Sequence, residues 1–175
     1  MDALSGHFIV VGYGRLGSEV TSDLADSGGS VVVIDTEPRP TDAAAPLPRN
    51  VHFVHGDGSR DETLREARIS AARGIAVATP SSAINVFITL SARQLNPKLT
   101  IITRVDDASA EDKARKAGAD VVVSPYASAA TRISHRLLHQ HAAEFVEQML
   151  DRQFRDLMLD DILLPATTEI HGALS

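Results

Sequence analysis

Three glycines in the run Gly12-Tyr13-Gly14-Arg15-Leu16-Gly17 are the most chemically informative feature of the sequence. Each meets a separate need: Gly12 a tight turn off a strand, Gly14 the approach of backbone amides to a phosphate, Gly17 the close packing of a helix on that strand. The helix that follows would offer unpaired N–H groups and a partial positive charge to an anion. Asp35 closes the next apolar run, where a carboxylate can accept hydrogen bonds from two ribose hydroxyls. A GxGxxG alone is weak evidence, but loop and carboxylate in this order imply nucleotide binding.

Further candidates lie where later apolar runs end. Arg15 can either lie over a pyrophosphate or terminal phosphate, or stand solvated in a first helical turn, where a cation is mildly unfavourable. Asp57, in Gly56-Asp57-Gly58-Ser59, can contact an adenine amino group or cap the turn that follows. Arg104 can pair with phosphate or with Asp106. The candidate contact set is therefore Gly12, Tyr13, Gly14, Arg15, Leu16 and Gly17 of the loop, Asp35 and Thr36, Asp57 and Gly58, Thr79, and Arg104.

Catalytic signatures are missing. A short-chain dehydrogenase needs Tyr and Lys one helical turn apart, yet Tyr126 is followed at that spacing by Ala130. Lys98, Lys113 and Lys116 stand in polar stretches that read as solvated faces. His135 and His139 could share a metal, but no HExxH glutamate lies between them and no third ligand is evident, so packed or solvent-facing histidines are the default. Neither a nucleophile elbow nor a P-loop occurs. With no cysteine there is no thiolate zinc site, cysteine nucleophile or disulfide framework, and a reducing compartment fits best. No catalytic residue and no metal site is assigned.

The elements that must position these residues can be read from the apolar pattern. The chain has 175 residues, 43% hydrophobic, enough for one core plus an appendage. Only 4% are aromatic and Trp is absent, so Ala, Val, Ile and Leu must build the core, a palette suited to parallel strands covered by helices. Continuous runs at Phe8–Val11, Val31–Ile34, Val51–Val54, Gly74–Ala78, Leu99–Thr103 and Val121–Val123 predict six strands, the first two buried on both faces. Helical stretches alternate with them at Ser18–Ala25, Asp61–Ala67, Ser81–Leu95 and Ala108–Ala117, the last capped by Gly118. On the third of these, Ile84, Val86, Phe87, Leu90 and Ala92 are expected to face inward. The segment Thr36 to Asn50, with Pro38, Pro40, Pro46 and Pro48, reads as a loop where a crossover helix would be expected. This alternation predicts an α/β fold, a Rossmann-like doubly wound parallel sheet in the order 3-2-1-4-5-6. Beyond Ala127, Ile133, Leu137, Leu138, Phe145, Val146, Met149 and Leu150 recur at helical spacing and need a partner surface.

Charge and hydropathy narrow the partners. Against 23 Asp and Glu there are 17 Lys and Arg, a net charge of −6 that argues against nucleic acid. No stretch reaches the roughly 18 apolar residues needed to span a bilayer, and Met1 to Gly6 is too short and acidic for a signal peptide, so a soluble cytoplasmic chain is expected.

The run His7 to Gly17, the turn Gly56 to Ser59, Asn85, and Lys116-Ala-Gly-Ala-Asp120-Val-Val-Val-Ser-Pro125 together resemble the RCK family, also called KTN, the cytoplasmic regulatory domains of prokaryotic potassium channels and transporters. The resemblance covers about residues 7 to 150. It implies that Gly12, Gly14, Arg15 and Gly17 hold phosphates, Asp35 the ribose and Asp57 the adenine end. It also implies three parts: residues 1–125 a nucleotide-binding domain, 126–156 crossover helices that pack on a second subunit, and 157–175 a truncated start of a C-terminal lobe or a tail. Two departures matter. The proline-rich segment replaces a helix, and Arg104 and Asp106 stand where calcium-gated members carry two acidic residues, which favours a nucleotide over calcium. The expected ligand is NAD(H), ADP or ATP rather than NADP, because Asp35 would repel a 2′-phosphate. The expected assembly is a homodimer or a higher-order ring, held at the inner face of the membrane by a potassium channel or transporter pore. The alternative from another class is an NAD-dependent oxidoreductase lacking its substrate domain.

Overall fold

Six short parallel strands form one sheet in the order β3-β2-β1-β4-β5-β6. The computed structural model describes residues 4–38 and 48–138. The elements run β1 (Phe8–Val11), α1 (Arg15–Asp26), β2 (Val31–Asp35), β3 (Val51–His55), α2 (Asp61–Glu66), a 3-10 turn (Ile69–Ala71), β4 (Gly74–Val77), α3 (Ser82–Leu95), β5 (Thr100–Arg104), α4 (Ala108–Ala117), β6 (Val121–Val123) and α5 (Pro125–Leu138). The expected doubly wound topology is therefore the observed one. The direction in which strands are added reverses between β1 and β4, which pair in parallel with Phe8 opposite Gly74 and Val11 opposite Val77. A crevice opens beyond the carboxyl ends of strands at such a reversal.

Each face of the sheet carries its own apolar layer. Ile9, Val11, Val32, Ile34, Ile75, Val77 and Ile101 meet Leu64 and Ala67 near α2 and Ile88 and Ala92 of α3. On the other face Val10, Val31 and Val33 meet Ala25, Val20 and Leu24 of α1. A smaller cluster of Val105, Ala110 and Ala114 seats α4 against Val86 and Val122. Side chains cap two helices: Ser81 accepts from the Ile84 N–H at the start of α3, and Asp107 from the Ala110 N–H at the start of α4. Gly118, with φ of 110°, ends α4 in the left-handed conformation that the sequence predicted for a C-terminal glycine.

One expectation about burial needs correction. Ile84, Phe87 and Leu90 do not face inward on α3; they are 46%, 54% and 43% exposed. The buried face of that helix carries Asn85, Ile88, Thr89 and Ala92 instead, because two of these polar side chains bond to the strand ends beneath them. β1 and β2 are covered on both faces as expected, whereas at the β5–β6 edge Ile102, Val121 and Val123 are exposed.

The chain divides into two compact units, Met1–Ser128 and Ala129–Ser175. The first contains the whole sheet. In the second the described residues, 129–138, continue α5, on which no residue is buried. Of the proline-rich segment, 36–38 and 48–50 are described and are not helical. Residues 39–47, His139, and the expected crossover positions Phe145, Val146, Met149 and Leu150 lie outside the described residues, as does the expected C-terminal lobe. Among the described helices none is long and apolar enough to cross a membrane.

Candidate functional site

The glycine loop is held in shape by contacts that admit no side chain at two of its positions. Gly12 has φ of 95°, and a Cβ there would stand 3.0 Å from the Thr79 nitrogen and 3.1 Å from the Ala78 carbonyl. Gly12 is thus both a turn off β1 and the point where β1 and β4 backbones adjoin. A Cβ on Gly17 would fall 1.8 Å from the Gly12 oxygen, so only glycine lets α1 close onto the loop. Gly14 differs: a Cβ there would meet nothing within 4 Å. As the N-cap of α1 it provides no side-chain cap, which leaves first-turn amides and the positive end of the helix dipole available to an anion.

Asp35, at the end of β2, joins this loop directly. Its carboxylate accepts the Tyr13 N–H at 2.5 Å and the Glu37 N–H at 2.8 Å. Two amide bonds fix the carboxylate beside the loop and still leave acceptor capacity for hydroxyl donors. Asp57, after β3, accepts the Ser59 N–H at 2.8 Å. The turn-capping role is therefore realised. Those bonds from Ser59 hold the Asp57 carboxyl below its ordinary value of 3.8. The stability they contribute is present above that value and is lost as pH falls through the lowered one.

A cavity of about 1000 Å³ spans the reversal point. Its walls include eleven of the twelve expected contact residues: Gly12 to Leu16, Asp35, Thr36, Asp57, Gly58, Thr79 and Arg104. Gly17 is the exception, since it is buried in the contact that shapes the loop. The structure adds residues that local spacing could not supply. Phe53 of β3 lines the cavity and meets Tyr13 edge-on, with ring centres 5.7 Å apart. Ser81, Pro125 and Tyr126 extend the wall on the β4 and β5 side.

Arg104 realises the alternative in which it pairs with Asp106. Its Nε donates to Oδ1 at 3.0 Å and an Nη to Oδ2 at 2.7 Å, while the guanidinium lies 5.6 Å from the centre of the Tyr126 ring. The Asp106 carboxylate pushes the Arg104 guanidinium still higher in its range. Asn85, entirely buried, ties this wall together. Its Oδ1 accepts the Thr79 N–H at 3.2 Å and the Thr79 hydroxyl at 2.5 Å, and its Nδ2 donates to the Thr79 carbonyl at 2.9 Å and the Arg104 carbonyl at 3.0 Å. Among the described residues no group of three or more His, Cys, Asp or Glu side chains is placed to hold a metal ion.

A doubly wound sheet whose reversal point carries a glycine loop, an uncapped helix start and a carboxylate at the end of β2 defines a Rossmann-like domain of the mononucleotide- and dinucleotide-fingerprint class. The TrkA-N domain profile matches residues 8–125, and the chain belongs to that family. The resemblance to RCK domains read from the sequence holds. Potassium channel protein 1 of Methanocaldococcus jannaschii is 34% identical over 147 residues, 84% of this chain and 44% of that protein. The TrkA-N domain of inner membrane protein ybaL from Escherichia coli superposes with a TM-score of 0.70 at 28% identity, covering 77% of this chain and 98% of that one. The GsuK channel bound to NAD gives 0.69 at 29% identity, covering 82% of this chain and 25% of that one. GsuK bound to ADP gives 0.67 at 29% identity, covering 79% and 36%. The chain spans about half the length of the curated relatives it matches.

Proposed function

We propose that this chain is a regulatory domain that binds an adenine nucleotide and couples its occupancy to potassium flux through a membrane channel or transporter, at the inner face of the membrane. The observation that carries this reading is the cavity across the reversal point, with Asp35 held against the glycine loop and the start of α1 left without a side-chain cap. In it the phosphates lie against Gly12, Gly14 and Arg15, the ribose against Asp35, and the adenine toward Asp57. Support for the potassium partner comes from the relatives' names, and for NAD or ADP as ligand from the GsuK complexes. Asp35 and Glu37 together disfavour the 2′-phosphate of NADP.

Calorimetric titration tests this. NAD and ADP are expected to bind more tightly than NADP, and Asp35→Ala to weaken NAD by about 1.5–3 kcal/mol, the worth of charge-assisted hydrogen bonds. Tighter binding of NADP would overturn the ligand assignment. NADH turnover with carbonyl substrates, stopped by a change in the glycine loop, would instead establish the oxidoreductase alternative.

The regulatory reading includes a homodimer or a larger ring. Ile133 and Leu137, one turn apart on α5, are exposed, and a two-fold contact between identical helices would bury such a stripe. The full chain is expected to sediment as a dimer at tens of micromolar, and an Ile133→Asp, Leu137→Asp double variant as a monomer. A wild-type monomer would remove this part of the proposal.

A further inference from the structure

Arg104 stands on the cavity wall, yet two of its nitrogens are already committed to Asp106. The pair is partly desolvated, with side chains 14% and 28% exposed. Asp106 is itself fixed, since its backbone N–H donates to the Ser82 hydroxyl at 3.0 Å. Tyr126 covers the guanidinium face. Arg104, the cation that the described residues place on the β5 side of this wall, is thus neutralised by the protein's own carboxylate, while Arg15 stands exposed within the loop.

We infer that Asp106 is a specificity-determining residue, which by occupying Arg104 sets the site against a third phosphate and in favour of a nucleoside diphosphate or a dinucleotide with no phosphate beyond its pyrophosphate. The inference rests on the nucleotide reading above. A ligand laid from Asp35 past the loop runs toward β4 and β5. Because β4 lies between β1 and β5, the loop and the end of β5 are two strand spacings apart, about 10 Å. A diphosphate held at the start of α1 leaves that gap open; a third phosphate enters it. There it must either draw Arg104 away, stranding the Asp106 carboxylate beside a polyanion, or approach an ion pair with no net charge to offer. The distal riboside of a dinucleotide meets neither obstacle.

The test is titration of the full chain with AMP, ADP, NAD and ATP in magnesium-free buffer, comparing wild type with Asp106→Asn and Asp106→Ser. Asparagine keeps the shape and removes the charge, so a purely structural role for Asp106 would not alter the ratio of ATP to ADP affinity. Wild type is expected to bind ADP and NAD more tightly than ATP. Either variant should raise ATP affinity about tenfold, as one released charge-assisted contact implies, with AMP and ADP little changed. Adding Arg104→Gln to Asp106→Asn should abolish the gain. An unmoved ratio in both variants while ADP still binds overturns this inference alone. Absence of binding by every nucleotide overturns the nucleotide reading and this inference with it.

Discussion

The Gly17→Ala protein is expected to melt roughly 6–12 °C below wild type, as an overpacking cost of about 3 kcal/mol implies for a chain of this size, and to lose nucleotide binding. The added methyl would stand 1.8 Å from the Gly12 carbonyl oxygen, and no rotamer relieves a clash with backbone. Either α1 lifts off β1 or the loop opens, and both move the helix start that faces the cavity. Gly14→Ala provides the contrast. Its Cβ would meet open space and its φ is negative, so the melting point should stay close to wild type while binding falls. Differential scanning calorimetry and nucleotide titration on the two variants separate these outcomes. A Gly17→Ala protein with wild-type stability and affinity would show that the close approach of α1 to the loop has no such role.

Asn85→Leu should have an effect of similar size. Leucine fills the space but strands two carbonyls and the Thr79 N–H, and losing buried partners costs about 1–3 kcal/mol per group. Since Thr79 is only partly buried, the total is expected near 3 kcal/mol rather than the full sum. The ends of β4 and β5 would no longer be tied, and nucleotide affinity should fall with stability. Asn85→Asp gives a readout specific to these bonds. A carboxylate there would face the Thr79 and Arg104 carbonyls, so the folded protein favours the protonated acid and its pKa rises above the unfolded value near 3.9. The variant should therefore be most stable below pH 4 as regards this group and lose stability as pH rises toward neutrality. Chemical denaturation across that range checks the sign. A variant whose stability shows no added pH dependence relative to wild type would mean that Asn85 is not bonded as described.

Much of this architecture was legible because Val and Ile runs such as Val31–Ile34 have few other uses, and because right-handed crossovers leave little freedom in strand order. Gly12, Gly17 and Asp35 were legible for a similar reason: each position has a steric or bonding demand that few residue types satisfy. The face of α3 was misread because apolar residues were assigned inward, whereas Asn85 and Thr89 are buried through bonds to strand ends distant in sequence. The Arg104–Asp106 pair was visible as one of two options, and only side-chain geometry decides between them. Phe53 and Tyr126 enter the cavity wall through tertiary placement, for which local spacing holds no signal.

The strand order also has a consequence for the entropy of forming the fold. β1 pairs β2, β2 pairs β3, β4 pairs β5 and β5 pairs β6, each between consecutive strands. Among the described strands only β1 and β4 join segments that are not consecutive, with Phe8 opposite Gly74. The long loop closure of the domain is concentrated at that single seam, and closure entropy grows slowly, by about 0.6 kcal/mol per doubling of loop length. The connection between β2 and β3 lies inside this closed loop. Its length can therefore vary at little thermodynamic cost to the closure of that seam.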